Sequence, residues 1–307
     1  LKLTSASSGP STYSLIFFTA LTWGDSKSPP VILCHGKLDV SSGFRPLVSL
    51  LPPSFFYVSV DLPGNGRSER FNPGVRFTVV DFVPTIEVIR EHFQWTQFAY
   101  IGHSLGVIIG KYYNIAYPDV ITRMVELDPV PAHETWATDN FANWYHQFYA
   151  DFYCEGRFAK NNGGVETAPK YTYEKALSLM MNTRGLNETA SKHILERALE
   201  PAGDGLYRFT YDQRGKEIPR LPISPENMKQ LYTSVKTPTF GFLSASLLEL
   251  GVYDSVPFVK DEKQWPNGNY RYKIWQGGHD AHINNPECVS EDISKFLLEG
   301  SVGKAKL

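Results

Sequence analysis

One serine in the chain has the neighbours that a nucleophilic serine requires. Residues 102–106 read Gly-His-Ser-Leu-Gly, so Ser104 has a glycine two positions before it and another two positions after it. This pattern is typical of a sharp strand-to-helix turn, in which the serine adopts a strained backbone and the glycines relieve crowding. Apolar runs precede and follow the motif, as such a turn requires. We therefore predict that Ser104 is a nucleophile.

A serine hydroxyl is a poor nucleophile at neutral pH, so Ser104 needs a base. In sheets that carry this turn, the catalytic residues follow in the order nucleophile, acid, histidine. His279 lies late in the chain, in the sequence Gly-Gly-His-Asp at 277–280, directly after an apolar run. His282, three residues further on, is the competing candidate. We predict that His279 is the base.

The acid that orients this histidine has several candidates. The usual position, after the penultimate strand, is taken by Ser246 and its apolar neighbours. Asp254 lies in the following segment, where a longer loop could carry it to His279, and Asp128 ends the strand that follows the serine helix. Glu249 is a more distant candidate. Residue spacing alone leaves these possibilities open.

Acyl transfer also requires hydrogen-bond donors that face the oxyanion of the tetrahedral intermediate. The backbone N–H of Leu105, directly after the nucleophile, is one predicted donor. The backbone N–H of Lys37 is the other, because Lys37 lies in the loop 35–39 that follows an apolar strand. The side chain of Lys37 would enter the site, cover it or remain solvated.

The elements that must position these residues alternate along the chain. Continuous apolar runs predict buried strands, and apolar residues at helical spacing predict helices. Strands are predicted over 15–22, 31–34, 55–60, 98–101, 121–127, 238–243 and 270–275. Helices are predicted over 78–93, with Pro84 in the first turns, over 105–117 and over 289–298. This alternation predicts an α/β fold with a parallel sheet and helices on both faces.

The alternation breaks in the middle of the chain. After residue 129 the apolar periodicity is helical, with helices over 173–181 and 191–199, and no buried strand is evident before 238. We predict a sheet core formed by 1–129 and 236–307 and an inserted helical cap over 130–235.

Composition excludes several classes of function. The chain has 307 residues, of which 42% are hydrophobic and 20% charged, so it can bury a large core and is not disordered. Its 30 basic and 32 acidic residues predict no nucleic-acid partner. The chain contains no run of 18 apolar residues, so no membrane span is predicted. Cys34, Cys154 and Cys288 lack metal-ligand spacing, and the chemistry above needs no cofactor, so neither a metal nor a cofactor is predicted.

Two further segments bear on substrate and location. Aromatic residues are dense over 140–153, which favours an apolar or aromatic substrate, although these rings could equally pack the cap onto the sheet. Residues 305–307, Ala-Lys-Leu, are a variant of the Ser-Lys-Leu peroxisomal signal, so we predict a cytoplasmic or peroxisomal protein. Secretion is the alternative, in which Asn187 would begin a glycosylation sequon. The oligomeric state is not predicted.

With these residues placed, the chain resembles the serine-hydrolase-like proteins, a branch of the α/β-hydrolase superfamily. The resemblance runs from residue 30 to residue 298 and is carried by a few short motifs. These are His35-Gly36-x-Leu38-Asp39, Asp61-x-x-Gly64-x-Gly66-x-Ser68 and Gly102-His103-Ser104, with weaker matches at Asp212-Gln213-Arg214 and Gly278-His279. The resemblance implies a sheet of about eight strands with a helical lid over the pocket.

The resemblance also bears on the acid and on the departures from the family pattern. Some haloalkane dehalogenases place an acid at the end of the strand after the nucleophile helix, which corresponds to Asp128 here and favours it over Asp254. A serine nucleophile argues against dehalogenase and epoxide hydrolase chemistry. Two departures suggest changed specificity or lost activity: Lys37 occupies a position that is often large and apolar, and the usual acid position near Ser246 is vacant.

The sequence therefore predicts a serine hydrolase that cleaves ester-type bonds of a small apolar substrate through an acyl-enzyme. In this hypothesis Ser104 attacks a carbonyl, His279 takes its proton and Asp128 stabilises the imidazolium. Thioesterase, lactonase and amidase activities use the same constellation. The competing hypothesis is a non-catalytic ligand-binding or receptor protein on the same fold, because fold alone does not decide function.

Overall fold

The computed structural model describes residues 2–3, 17–131, 140–162 and 167–299. The strands are β1 (Lys2–Leu3), β2 (Phe18–Trp23), β3 (Pro30–Cys34), β4 (Phe56–Asp61), β5 (Phe98–His103), β6 (Ile121–Leu127), β7 (Leu199–Pro201), β8 (Tyr207–Phe209), β9 (Thr239–Ser244) and β10 (Tyr270–Trp275). The α-helices are α1 (Arg45–Val48), α2 (Val83–His92), α3 (Leu105–Ala116), α4 (Phe141–Tyr145), α5 (Glu155–Asn162), α6 (Tyr173–Arg184), α7 (Glu188–Ala198), α8 (Pro225–Thr233), α9 (Ala245–Glu249), α10 (Ala281–Asn284) and α11 (Glu287–Glu299).

One eight-stranded sheet confirms the predicted fold class. Its strand order is β1-β2-β4-β3-β5-β6-β9-β10, and all neighbours from β4 to β10 pair in parallel, whereas β1 and β2 are antiparallel. The chain passes from β3 to β4 on one side and then crosses to β5 on the other. Ligands of open α/β sheets bind where the strand order reverses in this way, beyond the carboxyl ends of the strands. The loops after β3 and β5 meet at that point.

Both faces of the sheet are covered, which explains the continuous apolar runs of the strands. Ile32 and Cys34 of β3 belong to a core cluster with α2 and α3. Val31 and Leu33, which alternate with them, belong to a second cluster with α1 and α11. Successive side chains of a strand point to opposite faces, so a strand buried on both sides is apolar at every position.

The helix predicted over 78–93 begins later than expected. A 3₁₀ helix spans Val79–Phe82, and α2 begins at Val83 with Pro84 in its first turn. Proline is well tolerated there because the first N–H groups of a helix have no partner within the helix. Thr78 and Asp81 form a reciprocal capping box at the start of the 3₁₀ helix.

The segment between β6 and β9 is mainly helical, as predicted, and contains α4 to α8; we call it the insertion. The helices predicted over 173–181 and 191–199 correspond to α6 and α7. The insertion also contains β7 and β8, an antiparallel pair outside the main sheet that was not predicted. These strands are three residues long and only partly buried, so they lack the apolar run on which strand prediction depends. The division into a core and a cap over 130–235 stays a prediction.

The insertion is anchored by the family motif that begins at Asp61. This carboxylate is fully buried and accepts hydrogen bonds from the backbone N–H of Ser41 and Arg67 and from the guanidinium of Arg197 in α7. A side chain at Gly66, whose φ is 57°, would lie 2.3 Å from the Asp61 carboxylate, so only glycine fits there. The motif therefore holds a loop and the insertion in place.

The Ala-Lys-Leu ending at 305–307 lies outside the described residues, and so do residues 15 and 16 of the first predicted strand. Among the helices of the described ranges, none combines the length and the apolar character that crossing a membrane requires.

A buried ion pair joins the helix behind the serine to the strand that leads to Asp128. Nζ of Lys111 in α3 lies 2.5 Å from Oε1 of Glu126 in β6, and both side chains are at most 2% exposed. The same ammonium lies over the rings of Tyr232 and Trp265. Burial lowers the pKa of Lys111 and Glu126 opposes that shift. The charge is compensated only while both partners are present.

Lys111→Met is expected to lower the free energy of unfolding by about 3–5 kcal/mol, because it leaves the Glu126 carboxylate buried without a partner. The double variant Lys111→Met/Glu126→Leu replaces both charges with apolar groups and is expected to be near wild type or more stable. Urea unfolding of the three proteins measures both values. A single variant within about 1 kcal/mol of wild type would contradict this account.

Candidate active site

Ser104 occupies the turn that its motif predicts. It lies between β5 and α3 with φ 51° and ψ −115°, and its backbone N–H donates to the carbonyl of Leu127 at 3.0 Å. A Cβ at Gly102 would come within 2.7 Å of the backbone of α3, and a Cβ at Gly106 within 2.1 Å of the Cys34 carbonyl. The two glycines thus allow helix α3 to pack against β3 and β5 directly behind the serine.

The loop after β3 lies against this turn. A Cβ at Gly36 would lie 3.1 Å from the Cβ of Ser104, so the loop backbone passes next to the serine. His35 holds the loop: its Nδ1 donates to the Gly36 carbonyl at 2.7 Å, and its Nε2 accepts from the N–H of Leu62 at 3.0 Å. Burial lowers the pKa of His35, which suits this neutral tautomer. Leu38 has φ 58°, an unusual conformation for a bulky residue.

The two predicted oxyanion donors belong to segments that adjoin the serine turn. Leu105 is the first residue of α3, so its N–H has no acceptor within the helix. Lys37 lines the same cavity as Ser104. Its side chain reaches the insertion, where Nζ donates to the carbonyl of Lys216 at 3.2 Å. Burial lowers the pKa of Lys37, and the positive charge of nearby Arg220 lowers it further. The donor role of both backbone groups stays a prediction.

His279 and Asp128 are brought together from segments 151 residues apart. Nδ1 of His279 lies 2.7 Å from Oδ2 of Asp128. A carboxylate can only accept, so the proton of the neutral ring lies on Nδ1 and leaves Nε2 free to act as a base. His279 is 31% exposed and lines the cavity with Ser104, whereas Asp128 is fully buried. This arrangement can take a proton from a serine hydroxyl.

The carboxylate of Asp128 is held from several directions. Ser244, the last residue of β9, donates to it through its backbone N–H and its hydroxyl, each at 2.8 Å, and Tyr253 donates through its phenol. Burial raises the pKa of Tyr253, and the charge of Asp128 raises it further, so the phenol keeps its proton and remains a donor. Sequence reasoning missed Ser244 and Tyr253. Ser244, at the end of β9, thus binds the carboxylate of Asp128, which directly follows β6.

The other candidates lie elsewhere or are paired differently. Asp254 is 72% exposed on its side chain and lies 3.1 Å from Nζ of Lys260. Glu249 is exposed at the end of α9. His282 is buried, with its ring 4.2 Å from that of His103 and 5.3 Å from that of Phe44. Within the part of the chain that the structure describes, it is the carboxylate of Asp128 that pairs with the His279 ring.

A cluster of buried groups next to His279 has the composition of a metal site. The potential ligand atoms of His103, Asp280 and His282 lie within 4.8 Å of one another. The guanidinium of Arg184, however, donates to both carboxylate oxygens of Asp280. The positive charge that this carboxylate requires is therefore supplied by the protein itself. Nε2 of His103 donates instead to the carbonyl of His279 at 3.1 Å.

The buried histidine His282 is expected to make the protein sensitive to acid. Burial lowers its pKa from 6.5 to about 3. Below pH 6.5 the unfolded chain therefore binds a proton that the folded protein excludes, and stability falls as the pH falls. His282→Gln should reduce the slope of the free energy of unfolding against pH by up to about 1.4 kcal/mol per unit between pH 6.5 and 4.5.

Urea unfolding at several pH values measures that slope. His146→Gln is the matched control, because it makes the same change at a histidine that is exposed in the folded protein. An unchanged slope in the His282 variant would contradict the assignment of a neutral, buried ring.

The cavity beside Ser104 lies between the sheet and the insertion and has a volume of about 610 Å³. The sheet side contributes the loop 36–39, His103 and the loop of His279. The insertion contributes Tyr171, Leu179, Met180, Thr183, Arg184, Phe209 and Tyr211. The described aromatic residues between 141 and 153, which the sequence linked to substrate, do not line this cavity. Trp144, Phe148 and Phe152 are instead buried in the packing of the insertion.

Comparisons with known proteins identify the family of the chain. The alpha/beta hydrolase fold family matches residues 29–286. A serine hydrolase-like protein of Mus musculus is 36% identical over 293 residues, which cover 90% of each chain. Another from Danio rerio is 29% identical over 282 residues, covering 90% of this chain and 83% of its own.

Solved structures share the fold. A hypothetical protein from Pseudomonas aeruginosa PAO1 superposes with a TM-score of 0.75 at 21% identity, covering 98% of both chains. A thioesterase domain from the curacin biosynthetic pathway superposes with a TM-score of 0.72 at 17% identity, covering 92% of this chain and 95% of its own. By its sequence and its fold, the chain belongs to the serine hydrolase-like branch of the alpha/beta hydrolase fold family.

Proposed function

We propose that the protein is a serine hydrolase that cleaves ester bonds of small apolar substrates through an acyl-enzyme. The observation that carries this proposal is the hydrogen bond between Nδ1 of His279 and the buried carboxylate of Asp128, next to a strained serine turn on the same cavity. A strained serine beside a partly exposed histidine and a buried acid is the arrangement that nucleophilic catalysis requires.

The proposed reaction uses these groups as follows. Nε2 of His279 takes the proton of Ser104 as Oγ attacks the ester carbonyl, and Asp128 stabilises the imidazolium that forms. The N–H groups of Leu105 and Lys37 stabilise the oxyanion. The imidazolium then gives its proton to the leaving alcohol. Water, activated by the same ring, attacks the acyl-enzyme and releases the acid.

The walls of the cavity support an apolar substrate. Leu38, Leu179 and Met180 are aliphatic, and Phe209 adds an aromatic ring. The guanidinium charge of Arg184 is already compensated by the carboxylates of Asp39 and Asp280. A volume of about 610 Å³ falls within the range of small-molecule sites. An uncharged ester with a short aliphatic or aryl group fits this chemistry.

A fluorophosphonate probe and a series of p-nitrophenyl esters test the proposal. We expect covalent labelling of the folded protein, with the adduct mapped by mass spectrometry to the peptide that contains Ser104, and hydrolysis of acetate to octanoate esters. Heat-denatured protein is the control for non-specific labelling. Folded protein that neither reacts with the probe nor turns over any ester would favour the alternative, a non-catalytic ligand-binding protein.

A further inference from the structure

One arginine of the insertion reaches both loops of the site. Arg184 is the last residue of α6, and Gly185 ends that helix in the left-handed conformation, with φ 65°. The arginine side chain is 20% exposed and lines the cavity that contains Ser104 and His279. It is thus a mostly buried cation between the insertion and the sheet.

Two carboxylates hold the guanidinium of Arg184. Its Nε donates to Oδ2 of Asp280 at 3.0 Å, and its Nη2 donates to Oδ1 of Asp280 at 2.5 Å and to Oδ2 of Asp39 at 3.0 Å. Burial alone would raise the pKa of Asp39, but the guanidinium outweighs burial and holds that pKa far below its ordinary value. Both acids are at most 6% exposed, so salt and water screen these pairs only weakly.

These carboxylates belong to the two loops that carry the proposed catalytic groups. Asp39 closes the turn 36–39, in which Lys37 is the predicted oxyanion donor, and its N–H donates to the Gly36 carbonyl. Asp280 directly follows His279. One guanidinium therefore connects the loop 36–39 to the loop of His279.

The turn after α6 is fixed to the same region of the sheet domain. Asn284 in α10 accepts a hydrogen bond from the N–H of Asn187 at 2.9 Å and donates to the Gly185 carbonyl at 2.9 Å. The hydrogen bonds of Arg184 and Asn284 thus fix this end of the insertion and the loop of His279 together.

We propose that Arg184 is a positioning residue, which sets the placement of His279 relative to the loop 36–39. It has this effect when the insertion is packed against the sheet. This inference rests on the proposed function. Arginine suits the role because its planar group presents several donors in fixed directions, whereas lysine is a point charge. Without the guanidinium, Asp39 and Asp280 would be two buried like charges, which repel each other and push the two loops apart.

The test measures kcat and KM for p-nitrophenyl butyrate and the rate of inactivation by a fluorophosphonate. Arg184→Met is expected to lower kcat and the inactivation rate by about 10²-fold, the loss typical of a small misplacement of reacting groups. KM should change by less than about threefold, because Arg184 is not an apolar wall of the cavity. Arg184→Lys keeps the charge and should recover about tenfold of the lost kcat. Asp280→Asn, which keeps the shape of the side chain, should lower kcat in the same direction and serves if Arg184→Met does not fold.

Arg197→Met is the matched control. Arg197 is another buried arginine of the insertion, but it pairs with Asp61 and contacts neither Asp39 nor Asp280. An equal loss of kcat in this variant would assign the effect to general docking of the insertion and overturn the inference. Wild-type rates in both Arg184→Met and Asp280→Asn would also overturn it while leaving the proposed function intact. A wild type that is inert to both substrate and probe would overturn the proposed function, and this inference with it.

Discussion

Replacing Ser104 by alanine is expected to lower kcat on p-nitrophenyl butyrate by about 10⁶-fold, the loss found when a serine protease loses its nucleophile. Alanine removes the attacking oxygen but leaves His279, Asp128 and the predicted oxyanion donors in place. Any residual hydrolysis would then use water and oxyanion stabilisation alone. Initial rates at high enzyme concentration, compared with wild type titrated by the fluorophosphonate, measure this loss.

The fold is expected to survive the substitution. Alanine meets the same strain as serine at φ 51° and ψ −115°, so the free energy of unfolding should change by less than about 0.5 kcal/mol. Ser104→Gly is a matched control: it also lacks the nucleophile, but glycine tolerates this backbone and should raise the free energy of unfolding by about 1–3 kcal/mol. Retention of more than about 1% of the wild-type rate by both variants would show that Ser104 is not the nucleophile.

Much of the fold could be predicted because the sheet is buried on both faces. Alternate residues of strand β3 pack into two different core clusters, one on each face of the sheet. Its run of apolar residues is therefore unbroken. The pair β7 and β8 could not be predicted in this way. These strands are short, partly buried and outside the main sheet, so their residues follow no apolar pattern. Helix α2 begins only at Val83 because the segment opens with a 3₁₀ helix, a distinction that apolar periodicity does not register.

The candidate site could be predicted only where its residues have a local pattern. Ser104 has glycines at fixed distances, and His279 follows the last strand in the expected chain order. The acid has no such pattern, because the contact that distinguishes Asp128 from Asp254 spans 151 residues. Arg184 and Tyr253 were missed for the same reason: they pair with carboxylates 96 and 125 residues away, and nothing beside them in the chain marks that role.

Asp128→Asn is expected to lower kcat by about 10⁴-fold while the protein remains folded. An amide can accept from Ser244 or Tyr253 through its oxygen, but its NH₂ group would then face Nδ1 of His279. The ring would have to accept there, which puts its proton on Nε2 and removes the base that Ser104 needs. The pH dependence of kcat and the rate of fluorophosphonate labelling should both report the loss, while KM changes little because Asp128 is fully buried behind the histidine.

Asp254→Asn provides the matched comparison, since it makes the same chemical change at the competing acid. Its side chain is 72% exposed and pairs with Lys260, an arrangement that contributes at most about 1 kcal/mol to stability. We therefore expect kcat within about twofold of wild type for this variant. A full rate for Asp128→Asn, together with a large loss for Asp254→Asn, would reassign the acid and require the loop that follows α9 to move towards His279. Equal, small effects of both substitutions would mean that the histidine acts without a carboxylate. The four hydrogen bonds to Asp128 would then only stabilise the packing of the segments that they join.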